Sequence, residues 1–99
     1  MRILVNHTNH PSTNWHPAQK EGWDAIVDIA FPNIPPQWSE EELRKFAREK
    51  FLELRDVIRN YGAEVWVCLQ GEYSYCYLMF DMLASMPPSN LKGFAIPTT

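Results

Sequence analysis

Apolar and polar positions along this chain fall into blocks with two different periods. Ile3-Leu4-Val5 and Asp24-Ala25-Ile26-Val27-Asp28-Ile29-Ala30 are short, apolar and β-branched, as strands covered on both faces are. Glu64-Val65-Trp66-Val67-Cys68-Leu69-Gln70 reads the same way, and Gly93-Phe94-Ala95-Ile96 predicts a shorter fourth strand. Between the second and third, Leu43, Phe46, Ala47, Phe51, Leu54, Ile58 and Tyr61 recur at spacings of three and four, which draws one apolar stripe on a helix. Ser39 with Glu42 forms a capping box, Glu40 and Glu41 suit the positive helix start, and Gly62 ends it, so a helix is predicted over 39–61.

The remaining segments follow from their breakers. Residues 6–14 are polar and predict a loop, and Trp15 to Gly22 predicts one or two helical turns capped by Asn14. Three prolines keep 31–38 extended. Tyr73 to Met86 predicts a helix that Pro87-Pro88 closes. The order β-α-β-α-β-α-β predicts one small α/β domain over 1–99. It is Rossmann-like, with a four-stranded, mostly parallel sheet in the order 2-1-3-4 and helices on both faces. Helix 73–86 carries only one charge, Asp81. A helix this apolar needs a cover outside the sheet, which predicts a homodimer through it; the alternative is a monomer with its Tyr hydroxyls and Ser85 facing water.

Composition narrows the function classes. With a formal charge of −3, and Lys and Arg concentrated in one helix among glutamates, the chain lacks the basic face that grips a nucleic-acid duplex. A small nucleotide held by backbone amides needs no such excess. Aromatic residues make up 13% with four Trp, enough that some are expected to meet a ligand or partner. Cys68 and Cys76 lack metal-ligand spacing and read as reduced, packed thiols. Met1 to Asn6 is too short for a signal peptide and no run reaches membrane-spanning length, so a cytoplasmic location is expected.

Ligands of open parallel sheets bind beyond the carboxyl strand ends, where the strand order reverses. Two polar stretches meet there, Asn6-His7-Thr8 and Gln70-Gly71-Glu72-Tyr73-Ser74. The second runs from strand through glycine into a helix start, whose free amides suit a phosphate; the alternative is a tight turn that needs Gly for backbone reasons. Glu72 repels a phosphate unless it points away or accepts ribose hydroxyls. His7, directly after strand one, suits a general acid/base or phosphate donor. His10 and His16 read as loop surface, and neither carboxylate nor Cys completes a metal site with them, so no metal and no cofactor are expected. Trp15 and Trp38 flank the site edge and either stack a base or pack loops onto the sheet.

The strand ending in Asn6-His7-Thr8, Ile34-Pro35-Pro36 with Trp38, the turn Leu69-Gln70-Gly71-Glu72-Tyr73, and Ala95-Ile96-Pro97-Thr98-Thr99 together resemble the small stand-alone CRISPR-associated ring nucleases, relatives of the CARF domain. The resemblance runs through most of the chain in order. It implies a CARF-like homodimer of type III systems that binds a cyclic oligoadenylate, usually the tetra-adenylate ring, across its two-fold axis. It further implies metal-independent cleavage: a ribose 2′-hydroxyl attacks the adjacent phosphorus, leaving a linear product with a 2′,3′-cyclic phosphate and switching off antiviral signalling. By position, Asn6, Thr8, Gln70, Gly71 and Ser74 match ligand-loop residues, Thr98 and Thr99 add hydroxyl contacts, and His7, Tyr73 and Glu72 are the catalytic candidates. Relatives tend to carry a glycine where Ser74 stands. A sensor that binds the ring without cutting it, and a nucleotide-free interaction module docking through helix 73–86, are the competing expectations.

Overall fold

The computed structural model describes residues 1–87 and 89–95. Four strands, β1 (Arg2–Thr8), β2 (Ala25–Asp28), β3 (Glu64–Gln70) and β4 (Leu91–Ala95), form one sheet in the order β2-β1-β3-β4. Every adjacent pair is parallel, so the sheet is wholly rather than mostly parallel. The helices are α1 (Pro17–Lys20), α2 (Glu40–Asn60) and α3 (Tyr73–Ala84), with a 3-10 turn at Ser12–Asn14. Right-handed crossovers in this order put α1 on one face of the sheet and α2 with α3 on the other.

The long-helix face holds the core. Ile3 and Val5 of β1 and Val65 and Val67 of β3 bury against Ala47, Leu54 and Ile58 of α2 and against Tyr75, Met79 and Leu83 of α3. The α2 stripe falls on that side as its spacing predicts, and the Ser39–Glu42 capping box forms at its start. At its end Asn90 Nδ2 reaches the carbonyls of Ile58 and Tyr61 at 2.6 and 2.7 Å, tying the orphaned last turn to the segment that leads into β4. The opposite face has lighter cover. Trp23 packs edge-on against Trp66, with the Arg2 guanidinium over both rings. Trp66 in turn lies so close to Gly93 that a β-carbon there would sit 2.9 Å from the ring.

The helix predicted to Met86 ends at Ala84 and β2 is shorter than its apolar run, spanning Ala25–Asp28; three further boundaries depart from the sequence reading, each for a local reason. β1 runs on through Asn6, His7 and Thr8, which are buried strand residues rather than loop, because their polar groups are satisfied by neighbours (below). The turn expected from Trp15 begins at Pro17, which fits the first helical position, with His16 as cap: its Nδ1 accepts from the Ala18 amide at 3.1 Å. β4 starts two residues early, at Leu91, which pairs with Val65. Ile96, Thr98 and Thr99 lie outside the described residues.

Candidate functional site

The carboxyl ends of β1 and β3 close side by side. Thr8 pairs with Gln70 in the last rung, and the Asn9 amide donates to the Gln70 carbonyl at 3.2 Å, carrying the ladder one step further. β2 leaves on one side of this pair and β4 on the other, which makes it the point where strand order reverses. Pleating then sends the polar residues of β1 to opposite sides: Asn6 and Thr8 to the lightly covered face, His7 toward the long helices.

Asn6 is the hub of a buried network. Its Nδ2 donates to the His10 carbonyl at 3.0 Å and to Asp28 Oδ1 at 2.9 Å, and its Oδ1 accepts from the Thr8 hydroxyl at 2.8 Å. Asp28 also accepts from Ser12 Oγ at 2.9 Å, and the Trp15 indole donates to the His10 carbonyl at 3.2 Å. Asn6 and Thr8 therefore bend the 9–15 loop back over the strand ends and hold it there. Asp28→Ala removes the carboxylate common to Asn6 and Ser12; amide hydrogen exchange across 9–15 should speed up while the exchange of β3 stays slow. Its effect on stability should be only about 1 kcal/mol, because Asp28 is largely exposed.

His7 is fully enclosed, at 0% exposure. Its Nδ1 lies 3.0 Å from the Ile29 carbonyl, which only accepts, so that nitrogen carries the proton. Nε2 is left to accept from the Tyr75 hydroxyl at 2.7 Å. Phe31 and Tyr75 pack against the ring at 5.4 and 5.6 Å between centroids. Burial lowers the His7 pKa, offset in part by the Ile29 carbonyl, and so favours neutral imidazole. Burial also raises the pKa of the Tyr75 phenol. The thiols of Cys68 and Cys76 are pushed up to about 11 by burial, which removes the thiolates a nucleophile would need.

The Gly71–Ser74 turn is exposed. Gly71 has a packing reason: a β-carbon there would strike the Phe31 ring. Glu72 caps α3, its carboxylate accepting from the amides of Ser74 at 3.2 Å and Tyr75 at 2.7 Å. The expected phosphate cradle thus carries its own anion. Tyr73 stands free of the surface at 82% exposure. Beyond it, between the starts of α2 and α3, opens a groove of about 440 Å³ lined by Trp38, Leu43, Arg44, Tyr73, Ser74 and Tyr77, among others.

The structure brings Asn6, Thr8, Gln70, Gly71, Glu72, Tyr73 and Ser74 to one sheet edge and sets His7 beneath it; Thr98 and Thr99 fall outside the described residues. Sequence reasoning missed Asp28, Phe31 and Tyr75. In the sequence Asp28 reads as part of a strand and Tyr75 as part of an apolar helix, and the contact between residues 7 and 75 leaves no local signal. No group of three or more His, Cys, Asp or Glu among the described residues could hold a metal ion. No helix among them is long and apolar enough to cross a membrane. Residues 2–89 match the model of the family described as the uncharacterized protein MJ1673 family. No curated protein and no solved structure matches the chain.

Proposed function

The chain belongs to the MJ1673 family, and we propose that it is a metal-independent ring nuclease, binding a cyclic oligoadenylate at the carboxyl edge of its sheet and opening it. The observation that carries this is the juxtaposition at the β1–β3 switch point of a pinned polar loop and an exposed Gly71–Ser74 turn, within a wholly parallel sheet. The resemblance of its short motifs to those of the small stand-alone ring nucleases suggests the substrate class. A self-cleaving ring needs its ribose 2′-hydroxyl held in line with the adjacent phosphorus, a positioning effect worth up to roughly 7–11 kcal/mol. The new 2′-oxygen–phosphorus bond forms as the bond from phosphorus to the 5′-oxygen breaks, the proton passing from the 2′-hydroxyl to that oxygen. Tyr73 is the exposed group for this transfer, Gln70 orients the ring, and Asn6 and Thr8 act through the loop they pin. His7, enclosed beneath the edge with Tyr75, supports the site by packing and takes no part in the transfer. A homodimer through α3 is part of the proposal, since that helix carries a single charge, Asp81, and Phe80 stands exposed on it.

One observation favours a second reading, the sensor that binds without cutting. Of the three residues expected to do acid–base work, His7 is enclosed and Glu72 is engaged by two amides. Incubation with labelled cyclic tetra-adenylate in EDTA separates the two. Linear fragments ending in cyclic phosphate are expected. An intact ring that co-elutes with the protein would leave the sensor, and an intact ring with no binding would remove both.

A further inference from the structure

The α2–α3 groove has a composition that core packing does not require. Tyr73 and Tyr77, one helical turn apart on α3, are 82% and 61% exposed. They line the groove together with Trp38, Leu43 and Leu78. Trp38 does not stand loose: Phe46 packs against it at 5.2 Å, Tyr75 against Phe46 at 6.2 Å, and His7 against Tyr75. A continuous run of rings therefore roots one wall of the groove in the core under the strand ends. Tyr73 and Ser74 belong both to the groove and to the turn at the switch point, so the two are continuous. At the rim, Arg44 holds Glu40 Oε1 through Nε and Nη2 at 3.0 and 2.8 Å, which leaves Glu40 Oε2 and the other guanidinium hydrogens for an outside partner.

From this we infer that the groove is a nucleobase subsite, in which a base stacks on Trp38, Tyr73 and Tyr77 and presents its polar edge to Glu40 and Arg44. The chemistry is selective in kind. Rings on the walls suit a planar π-system, and an acceptor beside donors suits a heteroaromatic edge. A volume of about 440 Å³ has room for one base with its ribose. The first turn of α2 carries Glu40, Glu41 and Glu42, which turns phosphate away from the groove. The base being adenine rests on the function proposed above; the stacking does not.

The test uses adenosine monophosphate, which carries base and ribose without the ring, and cyclic tetra-adenylate, each titrated into the full chain and into Trp38→Leu and Tyr77→Leu. Sedimentation and thermal melts accompany each titration. Both variants should bind both ligands about 10-fold or more weakly with assembly state unchanged; Tyr77→Leu should also keep the melting temperature, whereas Trp38→Leu should lower it through the lost packing on Phe46. Ring binding that the variants retain would overturn the groove and leave the ring nuclease standing. Monophosphate binding that the variants lose, with no ring binding by the wild type, would support the groove and remove the ring nuclease. Binding of neither ligand would remove both. Weaker binding that tracks dissociation of a dimer would overturn the groove and assign Tyr77 to the interface between copies.

Discussion

Tyr75→Phe, a change of one oxygen atom, is expected to destabilise the protein by about 1–3 kcal/mol, because it leaves His7 Nε2 as a buried acceptor with no donor. His7→Ala should lose about 3 kcal/mol or more, since it adds a cavity to the orphaned Tyr75 hydroxyl. Either is a large fraction of the stability of a small domain. Urea denaturation reads both. The double variant Tyr75→Phe with His7→Leu should recover part of the loss, because it removes both partners of the 2.7 Å bond and leaves only the Ile29 carbonyl without its donor. A double variant as unstable as the sum of its parts would show that the 2.7 Å hydrogen bond contributes little.

The same pair predicts a pH profile. In the folded protein burial holds the His7 pKa below its ordinary value of 6.5. As pH falls below that value, the unfolded chain takes up a proton that the folded chain refuses, so stability drops with falling pH, by up to about 1.4 kcal/mol per unit. Above about pH 7 the contribution is constant. Lys50 and Glu53 of α2 act on the imidazole in opposite senses, and Tyr75 of α3 meets it directly. His7→Leu should flatten the slope between pH 6.5 and 5, where few carboxylates titrate. An unchanged slope in that variant would assign the acid sensitivity elsewhere.

Much of the fold was legible because its signals are local. The α2 stripe, its capping box and the apolar run of β3 each fix an element within a few residues, and the alternation of strands and helices then fixes a parallel sheet. The candidate edge was legible for the same reason, since polar residues after apolar runs mark strand ends. What was hidden depends on partners far along the chain. Asn6 and Thr8 look like loop residues until Asp28 and the His10 carbonyl are beside them, and His7 looks accessible until Tyr75 and Phe31 close over it. Gly71 looks like a phosphate-loop glycine, yet Phe31 already requires it to lack a side chain. Glu72 reads as a repelling charge, whereas it is the cap of α3. In each case a residue type that serves ligand chemistry also serves burial, and only the long-range contact separates the two.

Tyr73 and Tyr75 make that separation testable within three residues of chain. Tyr75 is wholly buried and its hydroxyl is engaged, whereas Tyr73 is 82% exposed at the open end of the site. Tyr73→Phe should leave stability within about 0.5 kcal/mol of wild type, as surface substitutions do. If its hydroxyl moves the proton during ring opening, the single-turnover rate on cyclic tetra-adenylate should fall by about 10²-fold or more. Ring affinity should change little, because phenylalanine keeps the stacking face and removes only the hydroxyl. Tyr75→Phe should do the reverse, lowering stability while the folded fraction cuts at a rate within a few-fold of wild type. A Tyr73→Phe variant that cuts at the wild-type rate would leave positioning alone to account for cleavage. Its exposed ring would then serve only to stack a base or to meet a second copy, and a titration read alongside sedimentation distinguishes those two roles.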